Sequence, residues 1–248
     1  MDAAGRVVIG HWASFAWRGL GFSWQSVVLC EPEGPPRRRT SLARDPAPVR
    51  RDGAIEWNSP ALECSIHAEP LRDSVALRLL DAPGGTVDWT CEAPAARVSV
   101  ELARHPPIRG PGYAERLSMT IPPWRLPIRE LRWGRWHDAE GARSIVWIDW
   151  RGPAPRTWVI ADGRSVPDAT VTDSGLSAGG LSLTLSGSRD LEARALDDVL
   201  RSIPPLQSML PKALLALRER RWKSSGTLRS GATAPVTGEA IHELVVMA

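Results

Sequence analysis

Short runs in which apolar and polar residues alternate recur along this chain, and turns bearing glycine or proline separate them. A two-residue period puts successive side chains on opposite faces of an extended strand, so each run predicts a strand with one buried face. Leu62, Cys64, Ile66 and Ala68 share one such face. Val87, Trp89 and Cys91 form a second; Val98, Val100 and Leu102 a third; Leu181, Leu183 and Leu185 a fourth. Residues 22–29, 143–150, 156–161 and 240–247 add further strands. Asp52-Gly53, Asp162-Gly163 and Gly84-Gly85 are hairpin signals, because glycine and aspartate tolerate the positive φ of tight turns. No long amphipathic helix divides the early strands, which excludes a βαβ architecture. The pattern predicts an all-β sandwich or barrel.

At 248 residues the chain holds one large domain or two small ones. The segment Arg104-His105-Pro106-Pro107-Ile108-Arg109-Gly110-Pro111-Gly112 is the clearest break in the pattern. It predicts two packed β units, 1–108 and 109–248. The second unit is expected to carry a helical insertion over 190–223. Leu191, Ala195, Leu196, Val199, Leu200 and Ile203 are spaced for one helix face, which Pro204-Pro205 would end. A second helix is expected from Pro211 through Leu214, Leu215 and Leu217 to Trp222. Its basic end, Arg218, Arg220, Arg221 and Lys223, suits the negative pole of a helix dipole. The same cluster offers peripheral contact with an anionic membrane surface.

Composition removes several classes. Hydrophobic residues make up 43% and charged residues 24%, the balance of a globular protein rather than a disordered one. The net charge is +3, with arginines spread along the chain rather than gathered in a stripe, so no nucleic-acid partner is expected. Arg37-Arg38-Arg39, close behind two prolines, is expected to be a solvated loop. Cys30, Cys64 and Cys91 are odd in number and lack a paired spacing, which argues against a disulfide framework. The first residues carry an acidic group and no apolar core, and no window reaches membrane-span length. A cytoplasmic protein with free thiols is expected. His11, His67, His105, His137 and His242 show no metal-ligand spacing, and no dinucleotide, P-loop or nucleophile-elbow motif is present. Neither metal nor cofactor is expected.

The chain has 12 tryptophans against one tyrosine and two phenylalanines, an imbalance beyond generic core filling. Trp124, Trp133 and Trp136 are interleaved with arginines, a pairing that stacks guanidinium on indole. Trp147 and Trp150 fall on opposite faces of an otherwise apolar strand, which predicts burial from both sides. The tyrosine opens a clean alternation, Tyr113 to Ile121. One face holds Tyr113, Glu115, Leu117, Met119 and Ile121; the other holds Ala114, Arg116, Ser118 and Thr120. Glu115 is thus a carboxylate on an apolar face. Desolvation disfavours its ionised form and raises its pKa, which suits a general acid. The bland alternative is a Glu115 paired with an arginine or open to solvent.

Gly112-Tyr113-Ala114-Glu115 resembles the Gly-Tyr-x-Asp motif of the carotenoid 1,2-hydratases (hydroxyneurosporene synthases). The upstream segment Val87-Asp88-Trp89-Thr90-Cys91 is similar to the tryptophan-bearing segment of those enzymes. They belong to a lipocalin-like superfamily that also includes Diels–Alderase-type cyclases. The resemblance covers residues 86–150. It implies two lipocalin-like units with an apolar pocket near their junction and, in the hydratases, protonation of an isolated C=C bond followed by capture of the cation by water. Carried over, it makes Glu115 the acid, Tyr113 its hydrogen-bonding partner and Trp89 a pocket wall, with Trp124, Trp133 and Trp147 as further candidates for that wall. The chain departs from the motif at three places. Glutamate replaces aspartate, Arg116-Leu117-Ser118 replaces Asn-Trp-Gly, and Val87 or Asp88 stands where the family has histidine. The expected function is cofactor-independent hydration or cyclisation of an isoprenoid or polyketide-like molecule. The rivals are a non-catalytic carrier of an apolar ligand and a structural protein at the membrane periphery.

Overall fold

A computed structural model describes residues 1–17, 20–195 and 215–247. The chain is all-β, built from three antiparallel sheets. The first comprises β1 (Val7–Trp17), β2 (Leu20–Cys30) and β3 (Arg37–Ser41). The second comprises β4 (Val49–Arg51), β5 (Ala54–Ser59), β6 (Cys64–Pro70), β7 (Val75–Ala82), β8 (Gly85–Leu102) and β9 (Ile108–Met119). The third comprises β10 (Glu130–Asp138), β11 (Ser144–Arg151), β12 (Arg156–Ala161), β13 (Arg164–Val166), β14 (Thr170–Thr172), β15 (Gly175–Ala178), β16 (Leu181–Ala195), β17 (Arg218–Ser230) and β18 (Val236–Val246). Its strand order is β13-β12-β11-β10-β18-β17-β16-β15-β14.

The turn signals act as expected. Asp52-Gly53 links β4 to β5 and Asp162-Gly163 links β12 to β13, all four residues having positive φ, the condition for a tight two-residue hairpin. The runs at Val87 and Val98 join into the single strand β8. Pro94 lies inside it, and the β8–β9 register slips on either side of that proline. A residue without an N–H is tolerated in a strand where the ladder is already interrupted. The β8–β9 connection, where the 108/109 division was expected, is a hairpin link. β9, placed at the head of the 109–248 unit by its composition, pairs along β8, and the third sheet starts at Glu130.

The middle of the third sheet is buried on both faces. Every residue of β11 from Ser144 to Trp150 is buried. One face, with Trp133, Val146, Ile148 and Trp150, packs on Leu79, Val87, Trp89 and Cys91 of the second sheet. The other face, with Trp136, Ile145, Trp147 and Val159, packs on Val171, Leu176, Leu183 and Leu228. Those residues come from both ends of the strand order, so the sheet curls round its own core. Close approach makes this possible: a side chain at Gly226 would meet Trp136 at 2.4 Å, and Trp136 instead donates its indole N–H to the Gly226 carbonyl at 3.2 Å.

The expected helical insertion over 190–223 is corrected at its two ends, 190–195 and 218–223, while Leu215 is helical. β16 runs through Leu191 to Ala195, and β17 begins at Arg218, with Ala195 opposite Arg218. All of 196–214, with Leu196, Val199, Leu200, Ile203, Pro204, Pro205, Pro211 and Leu214, lies outside the described residues. Cross-strand pairing outweighs the helix propensity of a Leu-Glu-Ala-Arg run. The basic end of that helix is divided by strand alternation. Arg218 and Arg220 are exposed, with Arg220 on Asp190, whereas Arg221 is buried and Lys223 half-buried near Glu239. Arg37-Arg38-Arg39 is the edge strand β3 rather than a loop. Its side chains pair with Glu31, Glu192 and Glu63.

A buried charge cluster ties the first sheet to the third. Arg221, 5% exposed, meets Glu243 at 2.5 Å and Glu219 at 2.6 Å. Arg194 meets Glu219 at 2.7 Å, and Arg38 reaches across from β3 to Glu192 at 2.6 Å. Removing one partner of such a cluster leaves desolvated charge behind. Arg221→Met is expected to lower unfolding free energy by about 3–5 kcal/mol, and Arg220→Ala on the exposed pair by less than about 1 kcal/mol, measured by urea denaturation.

Candidate functional site

Glu115 sits where the second and third sheets face each other. The register sets Cys91 opposite Glu115 and Trp89 opposite Leu117, so these four side chains share one face and Trp89 lies diagonal to Glu115. The Trp89 indole N–H donates to Glu115 Oε2 at 2.7 Å, and the Tyr113 hydroxyl donates to the same oxygen. Trp133 meets Trp89 edge-on at 6.2 Å between ring centroids. Arg135, two residues along β10, places its guanidinium 5.2 Å from the centre of the Tyr113 ring. β8, β9 and β10 therefore supply the whole constellation.

Glu115 is exposed by area, yet the protein packed near its carboxyl is dense enough to desolvate it. Leu117 and Met119, 41% and 40% exposed, continue the same face. Desolvation is the largest influence on the carboxyl and pushes its pKa up to about 7, against the opposing pull of Tyr113, Trp89 and Arg135. The Tyr113 phenol is driven well above its ordinary value by burial and by Glu115, so it remains a donor. Both donated bonds converge on Oε2. The neutral acid consequently carries its proton on Oε1.

Of the residues singled out from sequence, Trp89, Tyr113, Glu115 and Trp133 come together. Trp147 does not join them, since it lies on the opposite face of β11, inside the curled third sheet. Trp124 is half-buried in a short 3-10 turn, Pro123–Arg125. Arg135 is the member that sequence reasoning missed, although its spacing of two from Trp133 was the signal. His137 and His242 each engage one ring nitrogen in place: His137 Nε2 lies 2.9 Å from the Pro94 carbonyl and His242 Nε2 2.8 Å from Ser224 Oγ. All three cysteines are buried and unpaired, and burial pushes the Cys64 thiol up to about 12. Among the described residues no group of His, Cys, Asp or Glu could hold a metal ion, and no helix is long and apolar enough to cross a membrane.

No protein-family model and no curated protein matches this chain. Solved structures do. Kievitone hydratase from Nectria haematococca superposes with a TM-score of 0.62 at 10% identity, over 98% of this chain and 84% of that one. CghA bound to Sch210972 superposes with a TM-score of 0.54 at 12% identity, over 98% and 89%. The likeness at this identity is one of fold. The chain is an all-β protein of the lipocalin-like architecture that kievitone hydratase and CghA share.

The raised pKa of Glu115 has a thermodynamic signature. The folded protein holds the Glu115 proton up to about pH 7, whereas an unfolded glutamate releases it near 4.5. The folded state therefore binds more protons across that window, and this contribution to stability is lost as pH rises through it. The melting temperature of Glu115→Gln relative to the parent is expected to rise between pH 5 and pH 7 and to level off above that. A constant difference would show that Glu115 titrates normally.

Proposed function

We propose that the strand face around Glu115 forms a recess for an apolar isoprenoid or polyketide-like molecule and that Glu115 is the proton donor in its cofactor-independent hydration or cyclisation. The observation that carries this reading is a carboxyl poised near neutrality, fixed on one oxygen by Trp89 and Tyr113. In hydration, the Oε1 proton is delivered to one carbon of a C=C bond and the neighbouring carbon becomes cationic. Water adds to that carbon, and the carboxylate takes back the proton water releases, so the net change is addition of one water. Trp89 and Trp133, both buried, hold the acid from behind rather than facing the bound molecule. In cyclisation the same acid activates the reacting group, and the recess holds the reactive conformer. The shared fold with a protein named as a hydratase supports this choice of chemistry.

The test is turnover of acyclic terpenoid alkenes and linear polyene-bearing polyketides in deuterated water, read by mass spectrometry. The expected product of hydration gains one water and one carbon-bound deuterium. Glu115→Gln is expected to lower kcat by at least about 100-fold and Tyr113→Phe by about tenfold, within the range typical of general-acid catalysis. Activity should fall as pH rises through 7, where Glu115 loses its proton. Undiminished turnover by Glu115→Gln would remove the acid from the mechanism. The solvent-facing Leu117 and Met119 favour a second reading, a carrier. It is distinguished by binding without conversion that Glu115→Gln leaves unchanged.

A further inference from the structure

The inner face of the curled third sheet borders a half-open cavity of about 230 Å³, on the far side of β10 and β11 from Glu115. Trp147, Thr172, Leu185, Ser188, Trp222 and His242 line it. Its aromatic wall is built on an absent side chain. A Cβ at Gly134 would come within 2.1 Å of the Trp147 ring, so the bare strand lets that indole lie across β10. Trp147 reaches to 6.4 Å from the His242 ring, and His242 stacks on its cross-strand partner Trp222 at 5.3 Å and 25°. A polar chain enters the same space. Ser188 Oγ bonds Ser224 Oγ at 2.8 Å, and Ser224 Oγ bonds His242 Nε2 at 2.8 Å. The Nδ1 of His242 makes no hydrogen bond among the described residues. Burial and the nearby Arg132 depress the His242 pKa to about 4, so the ring is neutral at neutral pH. At the cavity rim Arg132 is balanced by Glu130 at 2.7 Å and by Asp173, and Glu243 is engaged by Arg221.

We propose that this cavity is a second ligand site, for a neutral planar molecule of one or two rings bearing a hydroxyl group. Its rings would lie against the Trp222–His242 stack and its hydroxyl would join the His242–Ser224–Ser188 chain. The size argument is direct. An apolar cavity of about 150 Å³ accepts benzene, so this one admits a second ring. The balanced rim offers no surplus charge to an ion, and the stacked rings offer a flat face to an arene.

The probe is 6-fluoro-2-naphthol, titrated into the full chain and followed by ¹⁹F NMR. Saturable binding is expected with Kd below about 1 mM, consistent with a ligand of this size. Saturation transfer should reach the indole protons of Trp147 and Trp222. Ser188 is exposed at the rim, so Ser188→Phe closes the entrance without entering the core and should raise Kd at least about tenfold. Glu115→Gln should leave Kd within about twofold. The proposal is overturned if the probe fails to saturate, if its contacts are with Trp89 and Trp133, or if Ser188→Phe binds as well as the parent. Should Ser188→Phe fail to fold, the contacts in the parent protein decide the matter.

Discussion

Burial of β10 and β11 on both faces is the constraint from which the rest of the architecture follows. A sheet covered on one side needs one partner layer; this one needs two. The second sheet covers one face through Trp89, Val87 and Leu79, and the third sheet covers its other face by curling back on itself through Val171, Leu176 and Leu228. Tryptophan fills both layers because one residue spans the gap that two aliphatic side chains would otherwise share. Trp136 and Trp147 each need a glycine opposite them, Gly226 and Gly134, so the aromatic richness and the placement of these glycines are one design.

The interior treats two kinds of carboxylate differently. Glu219 lies between Arg194 and Arg221, whose charges hold its carboxyl below the ordinary range despite burial. Glu115 has hydrogen-bond donors but, among the described residues, no ion pair, and desolvation wins. Direct pairing makes one glutamate structural, and its absence leaves the other able to exchange a proton. Removing charge from the first would cost the fold, whereas removing it from the second relieves a strain the fold already carries.

What the sequence made legible were features decided within a few residues. The Asp52-Gly53 and Asp162-Gly163 turns, the two-sided burial of the Trp147 strand and the shared face of Tyr113 and Glu115 all follow from local alternation. Features decided by distant partners were not legible. Arg38 belongs to a strand whose charge is met by Glu192, 154 residues away. Leu191 and Ala195 have helical spacing but lie in a strand paired with β17. Trp147 and Trp133 both looked like pocket walls. Alternation puts them on strands, but the register of Gly134 with Trp147 puts Trp147 on the side away from Glu115.

Each group around Glu115 is mounted on a strand: Trp89 on β8, Tyr113 and Glu115 on β9, Trp133 and Arg135 on β10. Strand-borne groups in a hydrogen-bonded sheet hold their relative positions as a rigid unit, whereas the connections between strands are free to vary in length and composition. On the proposed function, proton chemistry would rest on the strands and substrate choice on the connections between them. Descendants of such a scaffold can vary those connections while inheriting the Trp89–Glu115–Tyr113 arrangement intact.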